Sequence, residues 1–203
     1  MKHILTLFVA LSLLSCGRSG EFESQRQRLS LAGEWHSSLG DCTLPGTTDE
    51  NRLGGGEHPA NITSRLTRTH PYAGRVEYSR EVEITPEMED QRLVLYMERT
   101  KPSTLWIDGD SIGHQGHIYA PHRYELPALK AGRHEVRIVV DNSSASVPEE
   151  IQGSHAWTDN TQTNWNGILG DFYIEATPAT YAPAFPIRRV PISIIWDTMM
   201  EKS

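Results

Sequence analysis

Residues 153–170 (GSHAWTDNTQTNWNGILG) set two tryptophans, Trp157 and Trp165, into a run of amide and hydroxyl side chains. That mixture suits a carbohydrate. A pyranose offers an apolar C–H face that lies against an aromatic ring, and its hydroxyls need donors and acceptors side by side, which Asn, Gln and Asp provide. The same residue types also bond nearby backbone wherever a chain turns. The segment therefore reads either as a recognition loop or as a loop whose amides cap its own backbone.

Other candidate chemistry is thinner. His114, His117 and His122 are close enough in sequence to suggest a metal cluster, but residues i and i+3 of an extended segment point to opposite faces. His114 and His117 converge only if a turn at Gly116 folds them together, so surface or hydrogen-bonding histidines are the simpler expectation. Cys42 lies in the turn-rich stretch 40–46 with no histidine close by, which favours a packed thiol over a nucleophile. Glu98 adjoins Arg99 and reads as half of a structural ion pair, while Glu149 and Glu150 read as solvated. Asn61-Ile62-Thr63 and Asn142-Ser143-Ser144 fit the glycosylation sequon and, given the leader described below, read as chance matches. No cofactor and no metal is implied.

The elements that would position residues 153–170 are strands. Residues 75–84 alternate, with Val76, Tyr78, Val82 and Ile84 on one side and mostly charged residues on the other, Arg80 breaking the pattern. Strands follow at 92–98, 103–108, 117–126, 133–141 and 169–176, and Asp108-Gly109 is a hairpin-type turn. Residues 127–132 suggest a single helical turn. Short strands at this spacing, separated by Gly, Pro, Asn and Asp, predict an all-β antiparallel sandwich of the jelly-roll kind.

The amino terminus carries an address. Lys2 and His3 precede an apolar run from Ile4 to Leu14, too short to span a bilayer as a helix and right for a signal-peptide core. Leu13-Leu14-Ser15-Cys16 resembles a bacterial lipobox, which predicts a signal peptide over 1–15 and lipid on Cys16, anchoring the chain in the bacterial cell envelope on the periplasmic or outer surface. Residues 16–28, small and polar, read as a flexible tether. Loss of the leader moves the formal net charge from −7 to −8, and no basic run remains, which disfavours nucleic acid and anionic lipid as partners. With Cys16 lipidated, only Cys42 is left and no intramolecular disulfide can form.

Several segments in order carry a resemblance: 44–54 (LPGTTDENRLG), 78–84 (YSREVEI), 95–109 (LYMERTKPSTLWIDG), 139–143 (VVDNS) and 161–170 (TQTNWNGILG). Together they look like the amino-terminal sugar-binding jelly roll, of the galactose-binding-domain type, of glycoside hydrolase family 2. That family includes β-galactosidases, β-glucuronidases and β-mannosidases. The likeness implies a sugar-binding domain over residues 29–178 and a carbohydrate partner. It also implies that the loop before the Asn-x-x-Gly motif faces the substrate, which nominates Thr161, Gln162, Asn164, Trp165 and Asn166. Several relatives place an Asp where this chain has Thr161, with Asp159 two positions earlier.

In the family, catalysis belongs to a (β/α)₈ barrel that follows the jelly roll and carries two glutamates. A barrel takes about 250 residues, and retaining hydrolysis needs two carboxyl groups about 5–5.5 Å apart; no pair in this sequence stands out. The chain alone is expected not to hydrolyse glycosides. Residues 179–203, with Pro183, Pro186 and Pro191 followed by the apolar run 192–196, read as an irregular tail, the mark of a truncation or frameshift product. Two expectations stay open: the leading domain of a family 2 hydrolase, or a surface lipoprotein that binds glycans without cutting them.

Overall fold

The computed structural model describes residues 26–55, 69–158 and 163–178. Eleven strands occur among them: β1 (Gln27–Ser30), β2 (Gly33–Ser37), β3 (Gly40–Leu44), β4 (Gly46–Thr47), β5 (Arg75–Ile84), β6 (Arg92–Thr100), β7 (Ser103–Ile107), β8 (Asp110–Gln115), β9 (His122–Glu125), β10 (Gly132–Asp141) and β11 (Gly167–Thr177). They form two antiparallel sheets. One runs β1-β11-β6-β9, with β4 added to one end of β11; the other runs β3-β2-β5-β10-β7-β8. This is the β-sandwich that the alternating pattern predicts.

Each sheet turns its period-two apolar face toward the other. Val76, Tyr78, Val82 and Ile84 of β5 are buried, as are Val136, Ile138 and Val140 of β10. Opposite them stand Leu93, Leu95 and Met97 of β6 with Phe172, Ile174 and Ala176 of β11. Trp35 bridges the layers, its ring tilted 32° against Phe172 at 5.3 Å, and its indole Nε1 donates to the Leu31 carbonyl at 2.9 Å. Arg80, the residue that breaks the alternation of β5, lies beneath Trp35 and donates from Nη1 to the carbonyls of Leu31 (3.2 Å) and Ala32 (3.1 Å). A cation on the inward face is tolerated there because those two carbonyls take its protons.

At the Asp108-Gly109 turn both central residues have positive φ, 51° and 88°, the twist that joins β7 to β8 tightly. Three expectations are corrected. The strand expected over 117–126 is confined to His122–Glu125; the approach to it, closed by Pro121, runs as a loop with Tyr119 87% exposed. Residues 127–132 contain no helical turn: the buried Leu129 side chain pins that stretch to the core, while Glu89 receives the Lys130 ammonium (2.8 Å) and the Ala131 amide (3.0 Å). Strands β1 to β4 and β8 add to those read from the sequence.

Candidate functional site

At one end of the sandwich the start of β5, the end of β10 and the entry to β11 meet, and three asparagines fill the junction. Asn142, Asn164 and Asn166 are all fully buried. Asn166 Nδ2 donates to the carbonyls of Gly74 (2.9 Å) and Val140 (3.0 Å) and lies 3.2 Å from Asn142 Oδ1; its Oδ1 accepts the Tyr78 hydroxyl at 2.9 Å. Asn142 Oδ1 accepts the Gly74 amide (2.9 Å), while its Nδ2 donates to the Tyr72 carbonyl (2.8 Å) and to Asn164 Oδ1 (3.1 Å). This lattice satisfies backbone groups that the sheets leave over, as buried polar groups require.

The lattice is the floor on which the polar loop stands. The amides of Thr163 and Asn164 return to the Thr158 carbonyl at 3.2 and 3.1 Å, and the Thr158 amide donates to Thr163 Oγ1 at 2.9 Å. The loop is thereby pinched shut at 158 and 163. Lys101, 4% exposed, spans from the turn after β6: its Nζ donates to the Thr163 carbonyl at 2.6 Å and stands 4.9 Å from the centroid of the Trp165 ring. A cation held against an indole face fixes that ring's orientation. On the far side, Thr48 donates its amide to the Asn166 carbonyl at 2.9 Å. The turn carrying Thr48 is stiffened by Glu50, which accepts from the Thr47 amide (2.8 Å) and hydroxyl (3.0 Å).

Of the five nominated residues, Asn164 and Asn166 therefore lie in the supporting lattice, and Trp165 is half-buried on the loop above it. Thr161 and Gln162 lie outside the described residues, as do Asp159 and the lipidation candidate Cys16. Trp157 is buried, 8% exposed, and its Nε1 has no partner among the described residues. Sequence reasoning passed over Asn142 and Lys101. The available signal was Asn142 as the first residue after the strand that ends at Asp141, a position where a polar side chain must enter the core or cap it.

A second polar cluster is sealed off. Ser103 and His122 are 1% and 0% exposed; Ser103 Oγ lies 2.6 Å from His122 Nδ1 and 2.9 Å from the Tyr124 hydroxyl. His122 Nε2 faces the His117 carbonyl at 2.9 Å, so the ring proton sits on Nε2 and Nδ1 accepts. Burial holds this imidazole neutral, down to about 4 from its ordinary 6.5. With no access to solvent the Ser–His contact is a packing device, not a nucleophile and base. The Cys42 thiol is likewise buried and pushed up to about 11, chiefly by desolvation. Glu98 and Arg99 form the expected ion pair at 3.5 Å, and Glu98 also accepts the Asp171 amide at 2.7 Å. No group of three His, Cys, Asp or Glu among the described residues is arranged to hold a metal.

No family model and no curated protein matches the sequence. The fold does match solved structures. The β-glucuronidase of Faecalibacterium prausnitzii aligns with 78% of this chain at 20% identity and a TM-score of 0.54. A β-glucuronidase of Bacteroides uniformis aligns with 76% at 19% identity and 0.56, and that of Ruminococcus gnavus, in complex with uronic isofagomine, with 77% at 15% and 0.57. The chain spans 33%, 18% and 29% of those chains respectively. At such identities the likeness establishes the fold: the chain has the β-sandwich architecture of a domain found within β-glucuronidases.

Proposed function

We propose that this chain is the sugar-contacting jelly roll of a family 2 glycoside hydrolase, supplying one wall of a pocket for a β-glycoside. The observation that carries the proposal is the loop closed between Thr158 and Thr163, mounted on the buried Asn142–Asn164–Asn166 lattice and steadied by Lys101 against Trp165. A rigid floor under the described ends of a polar, aromatic loop is what a recognition loop needs, and it supports this reading. The solved structures compared above are β-glucuronidases, which makes a β-glucuronide the first ligand to test, and a β-galactoside the second. In this reading Thr161, Gln162 and Trp165 meet the sugar. Asn164 and Asn166 hold them in place, and the catalytic carboxylates come from outside the jelly roll. The same proposal puts lipid on Cys16 and the protein in the bacterial envelope.

The test is titration of the 203-residue chain with methyl β-D-glucuronide and methyl β-D-galactoside, followed by tryptophan emission. One of the two is expected to shift the emission saturably and weakly, with Trp165→Ala abolishing the shift while leaving the thermal midpoint nearly unchanged; p-nitrophenyl glycosides are expected to release no p-nitrophenol. A flat response to both sugars would remove the recognition role.

A further inference from the structure

Residues 116–121, between β8 and β9, stand at the same end of the sandwich as the polar loop that leads into β11. Strand register fixes this. Thr100, the last residue of β6, pairs with Ile168 at the entry to β11, and Met97 pairs with His122 at the start of β9. Ser103 at the start of β7 pairs with Gln115 at the end of β8. One short turn serves both loops. Lys101 reaches the Thr163 carbonyl and the Trp165 ring on one side, while Ser103 Oγ meets His122 Nδ1 at 2.6 Å on the other. Both residues are buried, and the two residue steps between them span about 7 Å at most.

The 116–121 segment (GHIYAP) contains no Asp, Glu, Lys or Arg and presents one large ring to solvent, Tyr119, 87% exposed. A single exposed aromatic is ordinary on a protein surface; what distinguishes this one is its backing. The Tyr119 ring lies against that of His117, with centroids 5.3 Å apart and planes tilted 36°. His117 in turn stands edge-on to the buried His122 ring at 4.4 Å and 83°. Gln115 gives its side-chain amide to the Arg123 carbonyl at 2.6 Å, which turns its Oε1 toward His117 Nε2 at 3.2 Å. His122 Nε2 donates to the His117 carbonyl at 2.9 Å. Ring and backbone of His117 are thus both held, and Tyr119 is a ring supported on one side and open on the other, the form a stacking platform takes.

We propose that Tyr119 is the platform for an aromatic ring joined to the anomeric oxygen of the bound sugar, and so sets a preference for aryl β-glycosides. The inference rests on the sugar-binding reading of the loop before β11 and adds to it the class of aglycone. With the sugar on the Trp165 side of the Lys101–Ser103 turn, the short span of that turn lets one glycoside touch both loops. An uncharged segment around Tyr119 suits an uncharged ring, whose face gains by offset or tilted stacking on a tyrosine. A methyl group in the same place covers little of that face.

The test titrates the 203-residue chain with methyl and phenyl β-D-glucuronide, and with methyl and phenyl β-D-galactoside, by saturation-transfer NMR of the ligand. For the sugar that binds, the phenyl glycoside is expected to bind about fivefold more tightly than the methyl one, the ratio that corresponds to the ~1 kcal/mol of an aromatic pair. Tyr119→Ala should abolish that ratio while leaving the affinity for the methyl glycoside and the thermal midpoint unchanged, and Tyr119→Phe should keep it. Equal affinities for the phenyl and methyl glycosides, or a phenyl preference that survives Tyr119→Ala, would overturn the platform and leave the sugar reading standing. Failure of all the glycosides to bind would overturn both.

Discussion

Asn166 uses its amide as a junction box for four partners on two segments of chain, and nothing smaller reproduces that set. Removing it strands the Tyr78 hydroxyl in a dry core and takes a donor from each of the Gly74 and Val140 carbonyls, of which Gly74 keeps the Asn142 amide; each buried group left without a partner costs about 1–3 kcal/mol. Asn166→Ala is therefore expected to lower unfolding free energy by about 3 kcal/mol in urea titration. Asn166→Asp, the same shape with acceptors where donors are needed, should cost at least as much, because it turns lone pairs toward two carbonyls. If Asp proved harmless, the amide would not be oriented as described. The sequence showed these asparagines as polar residues in a loop and supported both roles, sugar contact and backbone cap. What it could not show is that Asn142, twenty-two positions upstream of Asn164, would meet it at 3.1 Å, since that encounter is made where the end of β10 in one sheet meets the entry to β11 in the other and not by any local pattern.

The elements that alternate cleanly were legible, and those built from glycine and polar residues were not. Strands β5, β7 and β10 announce themselves through Val, Ile, Leu and Tyr at every second position. The β2–β3 hairpin reads GEWHS and GDCTL, where only Trp35, Cys42 and Leu44 mark the inward side, too few to separate a strand from a loop. β4 is two residues, Gly46 and Thr47, and exists only because β11 receives it. That pairing depends on the absence of a side chain. At Gly167 the φ is +135°, and a Cβ there would stand 2.2 Å from the Gly46 carbonyl oxygen and 2.9 Å from Thr47 Cα. Both neighbours are backbone and have nowhere to go. Gly167→Ala should thus cost about 3 kcal/mol or more, combining a strained backbone with overpacking. It should also release the turn that bonds Asn166, seen as faster amide exchange at Thr48. An unchanged Thr48 amide would mean that β4 is held by something other than β11.

Across the whole molecule, the sandwich is closed by strands far apart in sequence, β1 against β11 and the inner faces of both sheets against each other, so the stability of the core is shared by every residue sealed within it. His122 makes that stability depend on pH. Its ring is 0% exposed and is held neutral down to about 4, mainly by desolvation, against 6.5 when unfolded. A group whose folded pKa is depressed in this direction takes up a proton first in the unfolded chain. Stability is then full above about 6.5 and is lost as pH falls toward 4. At pH 4.5 the loss amounts to about 2–3 kcal/mol. His134 works the other way: burial opposes its charge, but hydrogen bonds to Asp108 and the Lys130 carbonyl outweigh that and raise its pKa, a gain on acidification that is smaller because the Asp108 carboxylate is half exposed to solvent. The net expectation is a marked fall in the urea midpoint between pH 7 and 4.5. His122→Asn keeps a donor toward the His117 carbonyl and an acceptor toward Ser103, so it should lower the midpoint at pH 7 yet flatten its dependence on pH. A variant that kept the full slope would show that the acid sensitivity lies elsewhere, and that the Ser103–His122–Tyr124 cluster opens to water before it titrates.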